Sequence, residues 1–499
     1  EKIYNYEFPT WDRMSGIEDG MPLSLDNTGY AFPGAGTTIY RNVSIDTIDR
    51  EMKNVKIREL SFNVAMLVYD GGIDAMMFQM DGYAMDTTHD TLKPTLEGND
   101  RKVSDVFRVS RERFIVVGSG ELLPVTAKVE LQDRRLVVNF YQGTPLALVN
   151  DDDRWPHADS LDNNTFALIY ENGYYLYTRV GHWNGDGTQA TLTLDDEQLA
   201  TLRYEYHGVA GMDNRHFVIA ATGRQYRVNA SMPTVRACLC TIRDDNTIEF
   251  GTWKTMDFTF SHNFFAMDNM GPDEIIMTFA EDSGVTAVVL RFERSDNDIY
   301  FGSHEMIQTG GAILRENRLD LRVLNYQQFG VFYEDDAIQS LCFVICEISN
   351  AHDIEVVSPT YIISRAMGQR FTNFYFDLCE IGAGNFAIVE YRDSGRDKTV
   401  LIHRGEIKPR PVGIATSVKT GSLKIQFAGI FKVSGKKFTP GRAIYTNTKG
   451  ELIEGSPFGY ANSEFGSYYV FSPIDNSILS STSLVGIAVT KNKVYMKIQ

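Results

Sequence analysis

The sequence predicts an all-β protein: a seven-bladed β-propeller followed by a small C-terminal β domain. Three observations predict it. Short strand-like runs recur about every 50 residues. Turns rich in Asp, Asn and Gly separate them. Helical periodicity of any length is hard to find.

The clearest run is an aromatic or apolar strand ending in an acidic or Gly-rich turn. It occurs seven times, as "NVAMLVYDGG" (63–72), "RFIVVGSGE" (113–121), "TFALIYENG" (165–173), "HFVIAATG" (216–223), "EIIMTFAEDSG" (274–284), "QFGVFYEDDA" (328–337) and "NFAIVEYRDSG" (385–395). With Ala65, Phe114, Phe166, Phe217, Ile275, Phe329 and Phe386 as anchors, the steps are 49, 52, 51, 58, 54 and 57 residues. A second element lies downstream of it. "DDNTIEFGTW" (244–253) and "SDNDIYFGSH" (295–304) both read as an acidic turn, an Ile and a Phe-Gly, with Ile248 and Ile299 51 residues apart. Ile354 takes that place in the next unit, where Val357 replaces the Gly. Asp, Asn and Gly suit the tight hairpins between such strands. A unit of about four strands cannot bury both faces alone, and a ring of units covers every face.

The expected organisation follows. Residues 1–58 are an N-terminal segment, part of which, "TTIYRNVSI" (37–45), adds a strand to the last blade and closes the ring. Residues 59–410 are the propeller, and residues 411–499, beyond "IKPRP" (407–411), are a β-sandwich or barrel-like domain. "VGIATS" (412–417) and "VGIAVT" (485–490) are expected as adjacent strands there. "LDDEQLATL" (194–202) is the best helical candidate, with a loop as its alternative.

The closing pattern "FTPGRAIYTNTKGELIEGSP … LVGIAVTKNKVYMKI" resembles a β domain at the C-termini of phage and large-virus tail or fibre proteins. It is also similar to domains in secreted proteins of marine microbes and algae. The propeller repeats, from about residue 59, resemble repeats of the same loose group. That resemblance implies structural or adhesive work outside the cell or on a particle surface. It carries over no catalytic residue. Repeated Gly-His…Trp-Asp, blade-spaced Gly-Gly and Ser-x-Asp-x-Gly-x-x-Trp boxes do not occur.

Charge narrows the partners. The net charge is −17, which argues against nucleic acid, because phosphate binding needs a basic surface. Residues 401–499 carry 13 Lys+Arg against 5 Asp+Glu, a balance of +8, which leaves −25 on residues 1–400. No apolar run approaches the roughly 20 residues of a membrane helix. The chain begins at Glu1 and not at Met, for which a removed signal peptide is the expectation, with a pro-segment or other preceding residues as the alternatives. Asn42, Asn163 and Asn229 head sequons, so they are candidate glycosylation sites in a secreted protein.

Five cysteines in strand-like runs read as buried free thiols rather than a disulfide framework. No zinc-protease motif, nucleophile elbow, P-loop or dinucleotide fingerprint is present. The Asp-rich turns at 151–153, 244–245, 296–298 and 335–336 lack the spacing of a calcium loop and read as solvated hairpins. Neither a metal nor a cofactor is expected. Two loops, "DDDRWPHADS" (151–160) and "GHWNGDGT" (181–188), each combine Trp, His and Asp. Trp offers a flat apolar face and the polar groups reach hydroxyls. The candidate ligand residues are therefore Trp155, His157, His182, Trp183 and Asp186. The alternative is that both Trp residues pack at blade ends.

The expected function is a non-enzymatic extracellular or surface structural protein that assembles with protein subunits, copies of itself included. A glycan- or cell-surface-binding adhesion module is the alternative. An enzyme acting on polysaccharide comes third.

Overall fold

The computed structural model describes residues 5–497 apart from 10–16, 26–29, 35–38, 79–102, 149–153, 203–205, 223–233, 258–263, 310–318, 325–327, 336–339, 350–352, 366–372, 433–437, 448–451, 455–458, 463–466, 472–477 and shorter stretches between them. The chain divides into two compact units, one of residues 44–379 with 387–403, the other of residues 1–43, 380–386 and 404–499.

The larger unit is built from consecutive antiparallel sheets: among the described residues it holds six that run in chain order and most of a seventh. Their second strands are Val64–Tyr69, Arg113–Gly118, Thr165–Asn172, His216–Thr222, Glu274–Glu281, Gln328–Asp335 and Asn385–Asp393. Each repeat anchor is the second residue of one of these strands, and all seven anchors are at most 1% exposed. Phe114 lies in the core shared by the first and second sheets, Phe166 in that of the second and third, and Phe217 in that of the third and fourth. Ile275 and Phe329 continue the rule in the next two seams. Thus these five anchors each fill the seam with the sheet before their own. A period near 50 is the length of chain needed to build one sheet and return to the next seam. This is the propeller the repeat predicts.

Ile248, Ile299 and Ile354 enter the same seams as Phe217, Ile275 and Phe329. The acidic turns before the first two need a left-handed residue, supplied by Asn246 (φ 64°) and Asn297 (φ 51°). A Cβ on Gly251 or Gly302 would sit 3.1 or 3.2 Å from a carbonyl oxygen, close but tolerable. That is why Val357 can take the place in the sixth sheet, its N–H donating to Ile345 O at 3.0 Å.

The first strands of successive sheets, Lys56–Ser61, Val103–Ser110, Arg154–Ser160, Tyr206–Gly211, Phe265–Gly271, Leu319–Val323 and Asn373–Glu380, form the inner layer. In the seventh sheet the fourth strand is Ile39–Ile48, from near the N-terminus. Residues 194–202 are not helical. Thr191–Leu194 and Gln198–Leu202 are strands that both pair with Tyr175–Asn184. Sheet pairing overrides the local helix propensity of "DDEQLA". Among the described residues the single helical element is the 3₁₀ turn Gly187–Gln189.

In the smaller unit, Asn5–Pro9, Ser422–Gln426, Gly413–Lys419, Pro22–Leu25 and Ala31–Pro33 form one sheet in that order. Leu23, Ala31, Ala415, Leu423 and Ile425 make its core. A second sheet contains Ile478–Thr490 between Lys493–Lys497 and Ala443–Asn447. The two Val-Gly-Ile-Ala segments are therefore not adjacent strands. Each pairs instead with the strand that follows it through a short turn, Gly413–Lys419 with Ser422–Gln426 and Ile478–Thr490 with Lys493–Lys497. Closing a short loop costs less entropy than a pairing some 70 residues apart. All five cysteines are free and buried.

Candidate functional site

The residue before each anchor stands at the start of a second strand. In six of seven repeats it is polar: Arg113, Thr165, His216, Glu274, Gln328 and Asn385. Around Arg113 a cleft of about 650 Å³ opens. Its walls come from three sheets: Arg113 from the second, Asn164, His182, Asn184, Asp186, Thr193 and Asp195 from the third, Asn246 from the fourth.

The Arg113 guanidinium organises this cleft. Its Nη2 donates to Asp186 Oδ1 at 2.6 Å, its Nη1 donates to Asn164 Oδ1 at 2.5 Å, and it lies 5.7 Å from the Trp183 ring centre. His182 Nε2 is 2.8 Å from Asp195 Oδ2, and Asn184 Nδ2 donates to Thr193 Oγ1 at 3.1 Å. Trp183 is only 4% exposed. Its ring belongs to the seam of the second and third sheets, and its Nε1 donates to Gly185 O at 2.9 Å. It packs, as the alternative sequence reading has it, and offers no open face for stacking. What remains is a polar cleft lined by carboxylates, amides, a hydroxyl, an imidazole and a guanidinium. Those groups suit hydroxyl-rich solutes.

Of the five candidate ligand residues, His182, Trp183 and Asp186 meet here. His157 does not. It sits on the inner strand Arg154–Ser160 beside His207 and Tyr206. Trp155 is on the same strand, and its side chain lies outside the described residues. Sequence reading missed Arg113, Asn164, Thr193, Asp195 and Asn246, which other turns and strands deliver. The polar residue before each anchor is the signal that would have found Arg113. Asn163 is exposed in the turn before Thr165; the Asn42 side chain and all of Asn229 lie outside the described residues. So do residues 151–153 and Asp336. Asp244 and Asp245 are exposed hairpin residues, and among the described residues no group of three or more His, Cys, Asp or Glu is arranged around a metal position.

A second polar constellation lines the inner strands. Asp159 Oδ2 accepts from Gly211 N of the fourth sheet at 2.8 Å, and Asp268 Oδ2 accepts from Val323 N of the sixth at 3.0 Å. Asp377 Oδ2 accepts from Ile57 N of the first at 2.8 Å, which joins the seventh sheet to the first. Two arginines repeat one arrangement. Arg58 reaches Val106 O through Nε, Ile57 O through Nη1 and Asp105 through Nη2. Arg322 reaches Leu378 O, Leu321 O and Asp377 with the same three nitrogens. Arg58 Nη1 also bonds Asp377 at 2.6 Å.

Burial sets the titration of these acids. It pushes Asp159 up to about 7, with the charges of Asp268 and Asp105 adding to it and the N–H donors opposing. Burial also pushes Asp320 up to about 6, where Arg322 opposes and Asp377 adds. For Asp377 burial acts upward too, but Arg58, Lys56 and Arg322 outweigh it and hold the carboxyl below its usual range. An acid raised on folding stabilises the fold below its unfolded pKa of about 4, and that contribution is lost as pH rises through its folded value. The native chain should therefore lose stability relative to Asp159→Asn between pH 5 and 8, on the order of 1 kcal/mol after discounting for water access. Urea midpoints at the two pH values measure it. Parallel curves for the two proteins would refute the assignment.

No protein-family model matches the sequence, and neither does any curated protein. Solved structures resemble it in fold at low identity. The chain is similar to the S. cerevisiae core factor at 7% identity and a TM-score of 0.45, covering 75% of this chain and 62% of that one. A protein of unknown function from Dyadobacter fermentans is similar at 10% identity and a TM-score of 0.40, covering 74% and 99%. The WD40 domain of SCAP from fission yeast is similar at 9% identity and a TM-score of 0.35, covering 78% and 94%. The propeller assignment rests on this chain's own sheet order and seams. No helix among the described residues is long and apolar enough to cross a membrane.

Proposed function

We propose that this chain is a non-enzymatic β-propeller scaffold that works outside the cell or on a particle surface by assembling with other protein subunits, copies of itself first. The observation that carries the reading is charge separation between the two compact units. Residues 404–499 contribute +8, 1–43 contribute −3 and 380–386 contribute −1, so the smaller unit has +4 and the larger −21. Opposite net charges on separate bodies steer one molecule onto the next, and a contact that does not close on itself continues as a chain. The inner carboxyls support a structural role, because Asp159, Asp268 and Asp377 all bond the backbone of a neighbouring sheet.

Light scattering across a salt series tests the reading. Cutting the chain at Pro411 would remove two strands that pair with Asn5–Pro9 and Pro22–Leu25, so the test uses the full chain. Lys419 and Lys424 are exposed on that sheet. The native protein should form large species at low salt that dissolve at high salt, since screening weakens surface charge contacts. Lys419→Glu with Lys424→Glu should shift the distribution several-fold toward monomer. A native chain that is monomeric at every salt concentration would sink the proposal.

The cleft around Arg113 favours a second reading, recognition of a glycan. In that case Asp195→Ala and Asn246→Ala should each weaken binding about tenfold on a glycan array, the loss of one or two hydrogen bonds. An array without a hit removes this reading.

A further inference from the structure

The inner strands of the third and fourth sheets face each other through two histidines. His157 and His207 have ring centres 5.1 Å apart and planes at 89°. Strand alternation puts them there. On Tyr206–Gly211, Val209 joins the seam with the third sheet and Ala210 the seam with the fifth, so His207, in phase with Val209, faces the third sheet. On Arg154–Ser160, Asp159 reaches Gly211 of the fourth sheet, so His157, in phase with Asp159, faces the fourth.

His207 is 1% exposed, and neither its Nδ1 nor its Nε2 has a protein hydrogen-bond partner among the described residues. A neutral imidazole always carries one N–H and one lone pair. Leaving both unmatched in a core is a large cost, and it points to a ligand.

We propose that His157 and His207 together bind a divalent transition-metal ion of the zinc, cobalt or nickel kind, with water completing its shell. Imidazole is a common ligand for these ions, at a metal–nitrogen distance of about 2.0–2.1 Å. With about 1.1 Å more from nitrogen to ring centre, two imidazoles on one tetrahedral ion have centres about 5 Å apart. The separation in this seam matches that value. The neutral form of an imidazole is the ligating form. No third His, Cys, Asp or Glu completes the set among the described residues, so the expected affinity is that of a two-ligand site, weaker than a structural zinc centre.

Thermal unfolding of the full chain at pH 7.5, after EDTA treatment and with or without nickel chloride, tests this. The native protein should gain several degrees with nickel. His157→Gln and His207→Leu should both gain nothing, while His182→Ala and His216→Ala should keep the gain. His207→Leu should unfold at or above the native temperature in EDTA, because an apolar side chain replaces an unmatched polar one. No gain in the native protein, or a gain that survives either His157→Gln or His207→Leu, overturns the proposal. Should His207→Leu fail to fold, cobalt absorption decides: a visible ligand-field band in the native protein that is lost in His157→Gln supports the site, and a band present in both, or in neither, overturns it.

Discussion

Asp377→Ala is expected to destabilise the propeller by about 3–5 kcal/mol, the usual effect of removing one partner of a buried ion pair. Its side chain is 4% exposed and serves three donors at once. Ile57 N binds it from the first sheet, Arg58 from the same strand, and Arg322 from the sixth sheet at 3.3 Å. Removing the carboxylate leaves two guanidinium groups without that counter-charge in a low-dielectric interior. It also leaves an inner-strand amide without an acceptor where the last sheet meets the first. Asp377→Asn keeps one acceptor oxygen and loses the charge, so it should fall between the native protein and the alanine variant. Thermal or urea unfolding measures both. A loss under about 1 kcal/mol for Asp377→Ala would mean the ring is held at this seam by apolar packing alone.

Phe217→Ala should cost about as much, roughly 3–5 kcal/mol, for a different reason. Phe217 is 0% exposed and packs with Leu161, Ala167, Ile169, Cys238, Cys240 and Ile248 between the third and fourth sheets. Ala167, Ile169, Cys238 and Cys240 come from strands held by ladders on both sides, so they cannot collapse into the space left behind. The cost is then transfer of a large apolar side chain plus an unrelaxed cavity. Phe217→Leu should cost under about 1.5 kcal/mol, because most of the volume is kept. Leu199→Ala is the control. Leu199 is 49% exposed, and its loss should stay within about 0.5 kcal/mol. Equal effects at Phe217 and Leu199 in urea titrations would show that the repeat anchors do not carry the seams.

These two residues also show which parts of the molecule can be read from sequence. Phe217 was legible. It recurs as an aromatic or apolar residue at a fixed place in each repeat, and strand alternation alone puts it in a seam. Asp377 was not legible. Nothing in "NFYFDLCE" (373–380) distinguishes a carboxylate that joins three sheets from an ordinary half-exposed Asp. Its partners, Ile57 and Arg322, are 320 and 55 residues away in sequence, so only closure of the ring brings them together.

The candidate site divides in the same way. His182, Trp183 and Asp186 sit within five residues of chain, and a single strand end delivers all three. Arg113 and Asn246 enter from neighbouring sheets. His157, from a loop that looked equivalent, faces inward because strand alternation sends it toward the fourth sheet. The two Val-Gly-Ile-Ala segments misled because similarity of sequence says nothing about which strand lies alongside. Local hairpins won, through their lower closure entropy.

By itself, then, the sequence determined the all-β character, the repeat of about 50 residues, the seam-filling anchors and the turn asparagines. Each of these depends on neighbours a few residues away or on a pattern the chain repeats. The tertiary structure alone decided the inner belt of aspartates and arginines, the composition of the cleft, the pairing of residues 5–33 with 413–426 and the facing of His157 to His207. These depend on residues tens to hundreds of positions apart, and ring closure fixes their distances after the local pattern has done its part.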